Sequence, residues 1–381
     1  MTDALTGALQ SAITLALFLL ILGVLVVVHE FGHFAVARLA GVRVLEFGIG
    51  FPPRAKVLRS EGETLYTLNW LPFGGFVRLE GEDGSSDDPR AFSRAPLLTR
   101  LLILVAGVVM NLLLAFLIMF AIAWIANPTR GIQFGGVQPG SPAEQAGLQR
   151  GDTIVSLNGQ YYDAYGGTSL VEDIREHAGM QVTLGVRHPD GRLEQVPVTL
   201  RPADKVDAEH GALGICSDTP CPAVGAEPGP NVIWTAVITG HYFSRDPVSA
   251  LAVAGDRTGA AFGLILRGLG DLASSVLSNP TEAPPVQGPV GIAIGVGEVF
   301  WKSGAIDTLF LAGLLSANLA LVNILPLPPL DGGRMFVILV KSVAGRRVSI
   351  QAERLTYLVG AGVILALLLW ITYFDIARIG Q

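Results

Sequence analysis

Apolar residues gather in four long runs. The first starts at about Gln10 and continues as a helix through His33 to about Ala40. The others are Leu101 to Ala126, Asp307 to Leu325 and Leu355 to Phe374. A bilayer core of roughly 30 Å needs about 20 apolar residues in a helix, so each run is long enough to span it. Elsewhere the period changes to two. Tyr66, Leu68 and Trp70 alternate with Thr67 and Asn69, which predicts a strand, and Pro72 to Arg78 reads as a turn leading to another. Val182, Leu184 and Val186 alternate, as do Val196, Val198 and Leu200, with a Pro-Asp-Gly turn between them. From Asn231 to Ser275, apolar residues are interrupted by Arg245, Asp246, Asp256, Arg257, Arg267 and Asp271. No uncharged piece among them, Thr258 to Leu266 included, is long enough to span, so amphipathic helices on the membrane surface are expected. Pro-rich Asn279 to Pro289 reads as a linker toward the third run.

Between the second and third runs the composition turns soluble. The segment Ser141-Pro-Ala-x-x-Ala-Gly-Leu-x-x-Gly-Asp152 gives a short helix and a turn, followed by a strand and the Asn158-Gly159 turn. With the later hairpin it resembles a bacterial-type PDZ domain over roughly Gly131 to Pro202, a module that binds extended tails by strand addition. The expected fold class is therefore an α-helical multi-pass membrane protein with four transmembrane helices. It carries a small cytoplasmic β-loop region and an inserted extracytoplasmic PDZ-like α+β domain. The expected divisions are residues 1–126, 127–205, 206–300 and 301–381. The first and last are the two halves of the membrane domain, with β-loops at 43–80. The second is the PDZ-like domain, and the third is an extracytoplasmic linker with surface helices.

Composition agrees with a membrane protein: of 381 residues, 50% are hydrophobic and 15% charged. The net charge of −6 gives no reason to expect a nucleic-acid partner. Basic residues set the orientation. Arg38, Arg43, Arg54, Lys56, Arg59, Arg78, Arg90, Arg94 and Arg100 crowd the first loop, and Arg334, Lys341, Arg346, Arg347 and Arg354 the last. Asn127 to Ile306 carries basic residues far more thinly. Both termini are then expected outside, with the end of the first run near the cytoplasmic face. Cys216 and Cys221 fall on the outer side, where an oxidised pair is expected.

His29-Glu30-Phe-Gly-His33 ends the first apolar run. On a helix, positions 29 and 33 share a face, and two imidazoles so spaced can hold Zn²⁺ with Glu30 as general base. Ionisable groups at this depth are costly and by default functional. A catalytic zinc needs a third protein ligand and an open position. His177, His188, His210 and His241 lie on the wrong side by the charge count. Asp331, which follows the Pro-rich end of the third run, can fold back to the same rim, and beside the histidine motif it is expected to be a ligand rather than a loop cap. Asn111, alone in the apolar second run, is either glue between helices or a wall of the active cavity.

The H-E-x-x-H at the end of a first span, Asn323-x-x-Pro-x-Pro-Pro-Leu-Asp331-Gly on a third, and a PDZ-like insert between the second and third together resemble the site-2 protease family of intramembrane zinc metalloproteases. The resemblance covers nearly the whole chain. It implies zinc ligands His29, His33 and Asp331, with Glu30 as base. It implies that Asn323 helps hold the substrate backbone, and that the Gly48-Ile-Gly50 region forms a membrane-associated β-loop presenting substrate. It also implies single-span substrates already shortened on the outer side, such as anti-sigma factors or remnant signal peptides, in a bacterial inner membrane. Better-known enterobacterial members carry two tandem PDZ domains, whereas this chain has room for one. A catalytically silent scaffold and a zinc transporter are the rival classes. The intact Glu30 argues against the first, and the lack of internal repeats against the second.

Overall fold

A computed structural model describes residues 2–60, 62–82, 86–165, 170–206, 211–216, 235–278, 281–344 and 350–379. In chain order, helix α1 (Thr2–Leu39) leads to strands β1 (Val44–Arg59) and β2 (Leu65–Leu79), then helix α2 (Leu97–Ile125). Strands β3 (Asn127–Gln133) and β4 (Gly136–Val137) precede the short α3 (Pro142–Gln145), then β5 (Thr153–Leu157) and β6 (Gln160–Asp163). Next come α4 (Leu170–Glu176), β7 (Gln181–Arg187), β8 (Leu193–Thr199), β9 (Ile215–Cys216) and β10 (Thr235–Phe243). The chain closes with α5 (Pro247–Ser278), α6 (Pro289–Ser303), α7 (Ala305–Asn323), α8 (Asp331–Ala344) and α9 (Ile350–Ile379). Two compact units result: residues 1–120 with 252–381, and residues 121–251.

The first unit is dominated by long apolar helices. Among the described residues, five helices are long and apolar enough to cross a bilayer, against the four expected: α1, α2, α5, α7 and α9. The added one, α5, stands where several shorter helices were expected. It is a single 32-residue helix, and residues 235–243 ahead of it form a strand. Its charges did not break it: Asp256, Arg267 and Asp271 are exposed, and Arg257 is accommodated on the buried side. Ala254, Arg257 and Ala261 are buried along one stripe, and Ala261 clusters with Ala115 and Ala317. The linker expected up to Pro289 is followed by α6, too short to span a bilayer at 15 residues. Buried Asp375 on α9 accepts from the Gly288 and Gly291 backbone N–H groups at the start of α6, at 3.2 and 2.8 Å. It thereby satisfies donors that the first helical turn leaves free.

Strand β1 is the centre of the hairpin region. Phe47 pairs with both Tyr66 and Val77, because β2 bends near Pro72–Gly75 and returns along the other side of β1. The bend packs on α1: a Cβ on Gly74 would stand 3.2 Å from Val26, and one on Gly75 3.5 Å from Val27. That contact carries the returning arm of β2 to the histidine motif.

The second unit is built around one six-stranded sheet in the order β10-β3-β6-β5-β7-β8, with β4 and β9 paired apart. The expected hairpin forms, with Val182 facing Val198 and Leu184 facing Val196. Its core gathers Phe134, Ile154, Leu157, Tyr162, Leu184, Val186 and Leu200, with Leu170 and Ile174 of α4. Ser141 caps α3 by accepting from the Glu144 N–H, with Pro142 at the first helical position. Cys216 is disulfide-bonded, and Cys221 lies outside the described residues.

Candidate metal centre and active site

Helix α1 delivers His29 and His33 to one face, both buried. Asp331 arrives from the far end of the chain as the first residue of α8. The turn before it is tight. A Cβ on Gly332 would meet the Ile324 carbonyl oxygen at 2.1 Å, and one on Gly333 would meet the Pro328 nitrogen at 2.3 Å. Only glycines let residues 324–330 fold back over the helix start, which is the physical reason for Gly-Gly after Asp331. His29 Nε2 stands 2.9 Å from Asp331 Oδ2, and His33 Nε2 is 3.2 Å from both that oxygen and His29 Nε2. One ligand atom from each residue falls within 4.8 Å of the others.

This donor set fits zinc. Ligands of a tetrahedral zinc at about 2.0–2.1 Å stand roughly 3.3–3.4 Å apart, so the three atoms need to open by only a few tenths of an ångström. Two imidazoles and one carboxylate with a cavity beyond them are a catalytic-type set that leaves a position open. The outer contacts also suit a metal. His33 Nδ1–H donates to the Ile103 carbonyl at 2.7 Å, which turns Nε2 toward the cluster. Room for both rings comes from Gly107 on α2, where a Cβ would stand 2.5 Å from His33 Nε2 and 2.7 Å from His29 Cε1.

A cavity of about 360 Å³ opens on this cluster. Glu30 and Asn323 stand in its wall, along with Phe51, Gly75, Phe76 and Val77. The Val77 N–H donates to Glu30 Oε2 at 3.0 Å, so the returning arm of β2 orients this carboxylate. Arg334, one turn after Asp331, pairs with Glu82 just past β2, and both residues line the same cavity.

Helices of this length, a buried His-His-Asp cluster and a glutamate in its cavity make a restricted combination, and comparison with known proteins agrees with it. A profile of peptidase family M50 matches residues 17–367. The chain belongs to peptidase family M50. It is similar to the zinc metalloprotease RasP of Geobacillus kaustophilus, at 25% identity over 95% of this chain and 97% of the relative. It is likewise similar to RasP of Bacillus licheniformis, at 26% identity over 96% of this chain and 99% of the relative. This M50 peptidase is therefore a membrane zinc metalloprotease of the site-2 protease family.

Other expected site residues fall elsewhere. Asn111 is fully buried behind His29 and is not among the residues lining the cavity. Gly48 and Gly50 also lie outside that lining. A Cβ on Gly48 would meet the Phe76 ring at 2.4 Å, and Gly50 has φ 78° with the Leu71 carbonyl 2.5 Å from where its Cβ would be. Both glycines serve close packing inside the hairpin, and their neighbours Phe51 and Phe76 reach the cavity. Three contributors carried no motif signal: the Ile103 carbonyl, the Val77 N–H and the missing side chain of Gly107. Two are backbone groups. Gly107 is marked only by its spacing of four residues from each of Ile103 and Asn111, opposite His33 and His29.

Proposed function

We propose that this peptidase hydrolyses peptide bonds in or near transmembrane segments of membrane proteins, with His29, His33 and Asp331 as metal ligands and Glu30 as general base. One observation carries the reading: the three donor atoms converge on helices of a membrane-type unit, and the Glu30 carboxylate stands in the wall of the cavity that opens on them. Zinc held there would polarise the scissile carbonyl and lower the pKa of a water toward about 7. Glu30 then takes the proton of the attacking water and delivers it to the leaving amine. The Val77 N–H bond aims the carboxylate for this work. A substrate helix has its carbonyls bonded internally, so it must open locally before attack. Asn323, which lines the cavity, holds the opened backbone in this reading.

The substrates are single-span proteins already shortened on the outer side, with anti-sigma factors and remnant signal peptides as the classes. The setting is a bacterial inner membrane, with the active site toward the cytoplasmic face. Residues 127–205 are a PDZ-like extracytoplasmic domain that acts as a filter on substrates rather than as part of the catalyst. The density of basic residues in the loops flanking the motif supports this orientation, and the substrate classes rest on the family resemblance. The test is Glu30→Gln in the full-length enzyme, presented with a model single-span substrate. Cleavage should fall by a factor of 10³ or so, within roughly the 10²–10⁴ range for a lost acid–base group, with zinc content unchanged. Near-normal cleavage would remove Glu30 from the mechanism.

A further inference from the structure

Asn111 is a buried polar group of the helical unit. It is 0% exposed, its backbone carbonyl accepts from Ser316 Oγ at 2.7 Å, and its side-chain nitrogen is 3.3 Å from His29 Nδ1. Its Oδ1 is buried with no hydrogen-bond partner among the described residues. The second span thus touches both imidazoles on their far side, His33 through the Ile103 carbonyl and His29 through Asn111.

One proton position follows from these contacts. A carbonyl only accepts, so His33 carries a proton on Nδ1. In the tautomer that carries its proton on Nε2, His29 donates to Asp331 Oδ2 at 2.9 Å. His29 Nδ1 is then bare and accepts from the Asn111 NH₂ group. With a metal, His29 must present a bare Nε2, and the neutral ring keeps its one proton on Nδ1. That N–H needs an acceptor, and the same amide supplies one by turning its oxygen toward the ring. The proton has moved from Nε2 to Nδ1 by exchange, and none is gained or lost.

We propose that Asn111 is a positioning residue for the metal, a two-faced amide that satisfies His29 in both tautomers and fixes the imidazole orientation in each. A backbone carbonyl or a carboxylate could serve only the metal-bound tautomer, and a leucine neither. The proposal rests on His29, His33 and Asp331 being the metal ligands.

The experiment uses full-length protein in detergent and measures zinc affinity by chelator competition in wild type, Asn111→Ala, Asn111→Asp, Ser316→Ala and His33→Ala. Asn111→Ala should weaken zinc binding by about 10–100-fold, the usual effect of removing an outer partner of a histidine ligand. Asn111→Asp, which keeps an acceptor, should recover most of that loss. Ser316→Ala, which removes only the bond between helices, should leave the affinity unchanged. Wild-type affinity in Asn111→Ala alongside lost binding in His33→Ala would overturn the proposal and leave the ligand set standing. Retained zinc in His33→Ala would overturn the ligand set itself. If Asn111→Ala does not fold, ¹⁵N-histidine NMR of the wild type decides. The His29 proton should sit on Nε2 without zinc and on Nδ1 with it, and an Nδ1 proton in both states would overturn the proposal.

Discussion

The two units are held together by different physics. In the second, residues 121–251, the core is a set of large aliphatic side chains removed from water, with Ile154, Leu184 and Val186 fully buried. That is ordinary hydrophobic stabilisation, proportional to apolar area withdrawn from solvent. In the first unit the large apolar residues largely face outward: Leu5, Leu20, Leu358 and Leu369 are all exposed. Beside a cluster of larger side chains around Phe92, Ile103 and Leu104, several of its helix contacts are made by small residues. A Cβ on Gly32 would stand 2.4 Å from the Ala106 carbonyl, and one on Gly297 would stand 2.4 Å from Thr14. Ala115, Ala261 and Ala317 form a cluster of their own. Lipid tails are as apolar as leucine, so helices in a bilayer gain from close backbone approach and shared polar bonds instead. That same close approach lets buried His29, His33 and Asn111 meet, so here the packing device and the chemical site are one structure.

The sharpest way to break this contrast is to thicken the helix contact at the site. Gly107→Ala, a single methyl group, should weaken zinc binding at least about 100-fold, because the new Cβ falls within 2.5 Å of His33 Nε2. Chelator competition measures it, and an unchanged affinity would show that the rings do not need that gap. In the other unit the converse change should matter. Leu184→Ala should cost about 2–5 kcal/mol in the stability of residues 121–251 without altering zinc content. Denaturant unfolding followed by a probe in that unit, with metal analysis alongside, checks both halves. Returning to the helical unit, Asp375→Ala leaves the Gly288 and Gly291 N–H groups without their partner and should cost about 1–3 kcal/mol. Thermal unfolding in detergent reads that loss, and no change would mean the cap is dispensable.

The smallest effect is electrostatic and belongs to the soluble-type unit. The Asp152 carboxylate, 2.8 Å from His188 Nδ1, raises the His188 pKa, with Glu194 adding to the effect and Arg192 opposing it. A raised folded-state pKa means that protonated His188 stabilises the fold. The contribution is complete below the unfolded value of about 6.5 and fades as pH rises through the raised folded value. Unit stability should therefore decline slightly over that window. Asp152→Asn should flatten the decline, and an equal slope in the variant would contradict the assignment.

Much of this was legible from residue order. The motif at positions 29–33, the four long apolar runs and the hairpin at residues 181–199 all depend on local periodicity, which a sequence displays directly. Asp331 could be reached because its Pro-rich approach marks a chain reversal. The fifth long helix, α5, was hidden because charge was counted along the chain, whereas burial is decided around the helix. Arg257 can lie on the buried stripe beside Ala254 and Ala261 without ending the helix. Gly48 and Gly50 were expected at the substrate from the family resemblance alone; the constraint the structure shows on them is close packing inside the hairpin. The Val77 N–H and the Ile103 carbonyl belong to the main chain, and no side-chain pattern announces them.

The central claim is that His29, His33 and Asp331 form one metal site. X-ray absorption at the zinc edge of the purified full-length enzyme tests it most directly. The predicted spectrum has two imidazole nitrogens at about 2.0–2.1 Å and carboxylate or water oxygens at about 2.0–2.2 Å, and Asp331→Ala should remove the carboxylate contribution. A sulfur shell near 2.3 Å, or a spectrum indifferent to Asp331→Ala, would contradict it.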